Sequence, residues 1–400
     1  MTARRPIAIL SATQLISWGM LYYAFGVLAS HMQKDLGLSA GQIFGAFSVS
    51  VLVAGLASTP IGMAIDKHGG RWMMVAGSLM AALGLWALSI AQSAGVYFAA
   101  WMLIGLAMAL TLYEAAFATL NRALSLDAAR AISTVTLAGG LASTAFWPLT
   151  DILFARLGWR DTLAVYAVVQ LLVCAPLHFM LGAPAARLVH HKAQPGDNGH
   201  TLAQAIATPG FWLLSSAFAA VAFVFSALSV HMIRILGGLG HASEFVLILA
   251  ASIGPMQVAG RLIERAWGGR TTPQVIGIYT FSALPSALLV LALFGSKGWG
   301  VALFCVLYGL GNGVLTIVRG TLPAAMFGRA HYGAISGALA APALLAKAAG
   351  PTALALALDL VDVQTFLFGL CGLAVVSLAL FWFSILPSRQ SLRVAPGEPT

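Results

Sequence analysis

Apolar residues run through this chain in blocks of about twenty, parted by short polar interruptions. A block of that length crosses a hydrocarbon layer of about 30 Å as an α-helix. A membrane β-barrel would need alternating segments of about ten residues, and the pattern lacks them. The blocks predict twelve helices, at approximately 7–31, 42–65, 72–93, 95–121, 130–155, 161–182, 210–235, 243–263, 274–295, 298–322, 332–357 and 364–386. Only one interruption is long. It covers 183–209 and holds His190, His191, Lys192, Pro195, Gly196, Asp197 and Asn198, a polar and turn-prone stretch. It divides the helices six and six. The expected organisation is an N-terminal bundle over 1–182, a cytoplasmic linker over 183–209, and a C-terminal bundle with a short tail over 210–400.

Composition supports that pattern. The chain is 60% hydrophobic and 8% charged, where a soluble domain carries roughly 25% charged residues. Too little polar surface exists to coat a water-soluble globule. Arg4 and Arg5 before the first apolar block resemble a signal peptide, but the block is too long for a signal core and no small-residue cleavage site follows. It is expected to stay as the first helix.

The net charge of +9 reports orientation. With twelve helices both termini share a side. Placing them inside puts Arg4, Arg5, Lys67, Arg71, Arg122, Arg130, Arg187, Lys192, Arg261, Arg265, Arg270, Arg319, Arg329, Arg389 and Arg393 at or near the cytoplasmic face. Lys34, Arg156, Arg160, Arg234 and Lys297 fall outside. That bias predicts an inner-membrane protein with both termini in the cytoplasm, and it implies no nucleic-acid partner. Cys174, Cys305 and Cys371 all lie in apolar blocks without metal-site spacing and read as packing residues.

Near-identical phrases recur about two hundred residues apart. His31-Met32-Gln33-Lys34-Asp35-Leu36-Gly37 ends the first predicted helix, and His231-Met232-Ile233-Arg234-Ile235-Leu236-Gly237 ends the seventh. Gly62, Asp66, Lys67, Gly69, Gly70 and Arg71 follow the second helix; Gly260, Glu264, Arg265, Gly268, Gly269 and Arg270 follow the eighth. Ala131-Ile132-Ser133 returns as Ala334-Ile335-Ser336, and Pro148 and Pro351 follow at the same offset. Three matches in register point to two six-helix repeats of like orientation, related by an axis along the membrane normal.

This arrangement resembles the major facilitator superfamily over essentially the whole chain. The family's signature Gly-x-x-x-Asp-Arg/Lys-x-Gly-Arg-Arg/Lys is matched by Gly62, Asp66, Lys67, Gly69 and Arg71, with Gly70 at a position usually basic. The resemblance implies an all-α membrane protein of twelve helices in two repeats, moving a small solute by alternating access. The loop itself suggests a latch. Gly69 and Gly70 permit a tight turn, and Asp66 beside Lys67 and Arg71 suggests ion pairs and helix-end contacts made in one packing and broken in another. A merely topogenic basic loop is the alternative. The gate set is Gly62, Asp66, Lys67 and Arg71, with Glu264, Arg265 and Arg270 in the second repeat.

Ionisable groups inside spans cost several kcal/mol unless paired or hydrated, so the few present are candidates. Glu114 lies in the fourth helix and either carries a coupling proton or pairs with Arg122, Arg130 or Arg71 in a gate. Sugar porters of the superfamily have a similar Glu and Arg. Arg319 ends the tenth helix and suits anion binding or a gate. Lys347 stands mid-span with no acid within a turn, which marks a site for a substrate carboxylate, or else half of a pair with a distant acid such as Glu114. Bacterial oxalate/formate exchangers are similar in carrying a lysine in helix 11. They also carry an arginine in helix 8, where this chain has Gln257 and then Arg261 of the loop motif, which weakens a dicarboxylate reading. Gln14, Trp18 and Tyr22 recur at i, i+4 and i+8 and could line a cavity or glue helices together. The surrounding wording is loosely similar to monocarboxylate porters. Asn312 is a further candidate.

Proton-coupled drug exporters have an arginine early in helix 4, where Trp101 stands here, and a Gly-Pro-rich kink in helix 5, which span 5 lacks. No phosphate-binding loop or enzymatic constellation is found, so neither enzyme activity, cofactor nor metal is expected. The expected function is secondary active transport, as a monomer, of a small organic anion such as a monocarboxylate, with protons as the coupling partner. The alternative is an efflux pump for amphipathic or toxic compounds.

Overall fold

The computed structural model describes residues 4–124, 127–182, 199–267 and 270–391. Arg187 and the polar linker from His190 to Asn198, together with Gly268, Gly269 and Arg393, lie outside the described residues, as do the side chains of Arg234, Pro351 and Arg389.

Helices α1 to α4 are Arg4–Leu36, Ala40–His68, Gly70–Ser89 and Ala94–Leu124. A single helical stretch, Ala128–Phe179, follows. It bends at Gly158, whose φ of 77° and ψ of 171° leave the helical region, so it comprises α5 (128–157) and α6 (159–179). Then come α7 (Pro209–Gly238), α8 (Ser243–Trp267), α9 (Pro273–Phe294), α10 (Gly298–Phe327), α11 (Tyr332–Leu360) and α12 (Val363–Ser391). Eleven helical stretches among the described residues are long and apolar enough to cross a membrane. Counting the bent one as two gives the twelve that the pattern predicts.

Most helices outrun their predicted bounds because hydrogen-bonded caps, not loss of apolarity, end them. Ser39 starts α2 with a reciprocal box: its Oγ accepts from Gln42 N at 3.2 Å, and Gln42 Oε1 accepts from Ser39 N at 2.9 Å. Gly37 closes α1 at φ 63° and Gly69 closes α2 at φ 82°. Asp362 starts α12, accepting from Thr365 Oγ1 at 2.6 Å and Thr365 N at 2.9 Å. The Thr365 side-chain hydrogen bond, then its backbone N–H, hold the Asp362 carboxyl below the usual carboxylate range. Trp72, Trp86, Trp147, Trp212, Trp267 and Trp299 are all exposed among further exposed apolar side chains, a surface suited to lipid and its interfaces.

Two compact units form, Met1–Asn198 with Arg329–Ala348, and Gly199–Gly328 with Ala349–Thr400. In the first, α3 packs on α4 and α6, and α2 packs on α4; in the second, α9 packs on α10 and α12, and α8 packs on α10. These are the same pairings at repeat-related positions. The α2–α4 and α8–α10 pairings each depend on a glycine. A Cβ on Gly105 of α4 would overlap the Ser50 backbone of α2, and a Cβ on Gly309 of α10 would overlap Met256 of α8.

Candidate functional site

The loop motif is built by the meeting of α2 with the start of α11. Asp66 Oδ1 accepts from Gly333 N and Oδ2 from Ala334 N, both at 2.8 Å. The first N–H groups of a helix have no partner within it, and a carboxylate there also meets the positive end of the helix dipole. Among the described residues Asp66 takes no ion-pair partner, so the expected pairing with Lys67 or Arg71 gives way to backbone capping. Lys67 is exposed, and Arg71 lies over the rings of Phe179 (4.0 Å) and Trp72 (5.0 Å). The nearby cation is Arg122 of α4, which donates to the carbonyls of Asp66 and, at 3.3 Å, Lys67. It thus caps the end of α2. Gly70 departs from the usual basic residue because its face meets the Thr119 side chain, leaving no room for a Cβ.

Small residues carry the same α2–α11 contact inward. A Cβ on Gly62 would overlap the Gly333 carbonyl. One turn on, Ser58 Oγ donates to Gly337 O at 2.7 Å, and next Gly55 faces Leu344. This ladder leads to Lys347, one turn beyond Leu344.

Lys347 Nζ lies 4.3 Å from the ring centroid of Tyr22 and 5.9 Å from that of Trp18. Sequence reasoning grouped these residues as candidates, and the structure brings the three together in the first unit. The rings continue outward: Trp18 to Tyr22 at 5.3 Å, Trp18 to Tyr113 at 5.0 Å, Tyr22 to Phe47 at 5.2 Å. The indole Nε1–H of Trp18 is buried without a partner. A cation in this position is attracted by the negative faces of the two rings.

Gln14 sits deeper. It is fully buried, and its Nε2 donates to Thr111 O at 2.6 Å while its Oε1 has no partner. Thr111 ends the first half of α4, and the helix breaks at Leu112 before resuming at Tyr113. The break presents Tyr113 to Trp18 and leaves Glu114, half-buried, in the first turn of the second half. Broken helices and unwound turns are where transporters build sites. α1 is interrupted as well: Gly19–Tyr23 forms a π-helical turn between Trp18 and Ala24. Behind it, Gln170 Nε2 of α6 donates to Ser17 Oγ at 3.3 Å, and its Oε1 is buried without a partner. Sequence reasoning missed Gln170 and Ser17, although both are polar residues inside apolar blocks.

The second unit holds Asn312 and Arg319 on α10, both half-buried, and Glu264 and Arg265 near the end of α8. Arg270 is exposed just beyond. Arg261, assigned above to the loop motif, is 4% exposed, and its Nε and Nη1 have no hydrogen-bond partner. Trp101, standing where drug exporters have an arginine, is buried against Phe25 (5.2 Å) and Phe47 (5.4 Å). Among the described residues no group of three or more His, Cys, Asp or Glu is placed to hold a metal ion.

Residues 8–351 match the profile of the family described as Major Facilitator Superfamily. Over 396 residues the chain is 23% identical to monocarboxylate transporter 4 of Gallus gallus, covering 94% of this chain and 82% of that protein. Over 336 residues it is 25% identical to monocarboxylate transporter 13 of Bos taurus, covering 75% and 74%. In fold it is similar to the E. coli fucose:proton symporter FucP, with a TM-score of 0.74 at 12% identity over 96% of this chain and 99% of that one. It is also similar to the human organic anion transporter MFSD10 (TETRAN), with a TM-score of 0.71 at 16% identity over 95% and 100%.

Proposed function

The chain belongs to the Major Facilitator Superfamily, and from that premise we propose that it carries a small organic monocarboxylate across the inner membrane, with both termini in the cytoplasm. It is a multi-pass transporter rather than an enzyme. The observation that carries the substrate reading is the Lys347 ammonium held 4.3 Å over Tyr22 in the middle of an apolar helix. A half-buried cation beside π faces gains a stronger, charge-assisted contact when a carboxylate arrives. The sequence likeness to monocarboxylate transporters supports a solute with one carboxylate.

Trp18 and Tyr22 share the site with Lys347, and Gln14 fixes the broken α4 beside it. Asn312, on α10 of the second unit, is a separate candidate for contact with the solute. Glu114 and Arg319 serve proton coupling or gating; Gly62, Asp66, Lys67 and Arg71 form the gate motif of the first repeat, and Glu264, Arg265 and Arg270 that of the second. Asp66 latches α2 to α11 in one state and releases it in the other. A proton entering with one carboxylate moves no net charge, so the pH difference drives uptake, and each pH unit, about 1.4 kcal/mol, supports a tenfold gradient.

The test is uptake of labelled short mono- and dicarboxylates into proteoliposomes holding the full chain, with and without an inward proton gradient. Gradient-driven accumulation of a monocarboxylate is expected. If no acid moves, the anion reading fails and efflux of amphipathic compounds becomes the better account.

A further inference from the structure

The aromatic surroundings of Lys347 say more about the solute than its charge. We infer that the preferred substrate is an aryl-bearing monocarboxylate, with one carboxylate and a planar apolar body, rather than a short aliphatic acid. This rests on the proposed anion site at Lys347 and narrows it.

Three features of the site carry the inference. The cation lies over the face of Tyr22, with Trp18 beside it at 5.9 Å. A carboxylate has two oxygens to satisfy. Lys347 supplies one charged donor, and the buried, unpartnered Nε1–H of Trp18 supplies a second. Past these two donors the neighbourhood is built of rings from three helices. Trp18 meets Tyr113 of α4 at 5.0 Å and Tyr22 meets Phe47 of α2 at 5.2 Å. Tyr22 and Tyr23 themselves meet edge-on at 5.4 Å.

The backbone arranges this display. In a regular α-helix Trp18 and Tyr22 share a face while Tyr23 turns away. The π-helical turn over Gly19–Tyr23 changes that phase, and Trp18 lies within ring contact of both Tyr22 (5.3 Å) and Tyr23 (6.2 Å). Aromatic side chains give large apolar contact at low entropic cost and favour offset or edge-on partners. A second aromatic ring, entering behind its own carboxylate, meets faces and edges that a two- or three-carbon acid leaves unused.

The test measures binding of acetate, phenylacetate and the uncharged isostere phenylacetamide to the purified full chain in nanodiscs by calorimetry. The expected result is phenylacetate at least tenfold tighter than acetate, which corresponds to about 1.4 kcal/mol, with phenylacetamide much weaker than phenylacetate. Tyr22→Leu should bring the phenylacetate-to-acetate ratio toward one. Trp18→Phe, which keeps a ring and deletes the N–H, should weaken both acids in proportion. Using the ratio removes any general loss of folded protein, which would affect both ligands alike. Equal affinity for acetate and phenylacetate overturns the aryl preference and leaves the anion site standing. Binding of phenylacetamide as tight as phenylacetate, or no binding of either acid, overturns the anion site and the inference with it.

Discussion

The Asp66 carboxylate straddles the first turn of α11, with Oδ1 accepting from Gly333 N and Oδ2 from Ala334 N at 2.8 Å each. Two charge-assisted hydrogen bonds and a helix dipole therefore converge on one side chain, 267 residues distant in sequence. Asp66→Asn keeps one acceptor, turns an amide donor toward a backbone donor, and removes the charge. The loss is about 1–2 kcal/mol in the latched state, a factor of about 5–30 in its population. In a chain whose Cys174, Cys305 and Cys371 are replaced by Ala, a cysteine placed at Ala334, 3% exposed in the latched state, should react several-fold faster with a cytoplasmic thiol reagent once Asp66 is changed. An unaltered rate contradicts the latch.

Gly62 tests the packing beneath that latch. Its missing side chain makes room for the Gly333 carbonyl, whereas Gly45 on the same helix has nothing within 4 Å of a built Cβ. Gly62→Ala should lower stability by about 1–3 kcal/mol through overpacking, while Gly45→Ala leaves it unchanged or slightly raised. Thermal unfolding in detergent reads both. Equal melting curves would rule out the close approach of α2 and α11.

Gln14 is a structural partner of the α4 break by geometry. Gln14→Leu deletes the donor to Thr111 O and should cost about 1–3 kcal/mol. Its melting temperature should fall while Tyr22→Leu, at a half-buried ring, falls less. A Gln14→Leu chain as stable as the parent, yet unable to bind substrate, would instead make Gln14 a ligand-contacting residue.

On the opposite face of the first unit, Arg160 joins α6 to the ends of α1 and α3. It donates to Asp35 Oδ2 at 2.8 and 3.2 Å, to Ser89 O at 2.9 Å and to Ala91 O at 2.8 Å. The ion pair is exposed, 35% and 49% at the two side chains, so its own coupling should be below about 1 kcal/mol. Arg160→Ala should cost more, about 1–3 kcal/mol, because two carbonyls lose their donor. A double-mutant cycle with Asp35→Ala separates the terms; a large coupling with little residual Arg160 effect would reverse that assignment.

Helix number and the two repeats were legible as patterns of residue type, and Asp66 and Lys347 stood out as candidates, because apolar length and isolated charge survive in a linear string. The partners were not. Asp66 bonds to backbone N–H groups of Gly333 and Ala334, and a backbone donor has no sequence signature. The π-helical turn at Gly19–Tyr23 and the break at Leu112 alter hydrogen-bond offset without altering hydrophobicity, so periodicity passes over both. Arg261 reads as one more loop base beside Glu264 and Arg265, yet it is buried with unpartnered N–H groups, a consequence of tertiary packing. Gln170 stands out as a polar residue in an apolar block, but its partner, Ser17, lies 153 residues away and no spacing joins the two.

The central claim is that Lys347 holds the carboxylate of the transported solute. The most direct measurement compares counterflow of a labelled monocarboxylate in proteoliposomes bearing the parent chain and Lys347→Ala at matched, folded protein. The account predicts robust exchange by the parent and loss of at least a hundredfold in the variant, with an unchanged melting temperature. Full exchange by Lys347→Ala would contradict it.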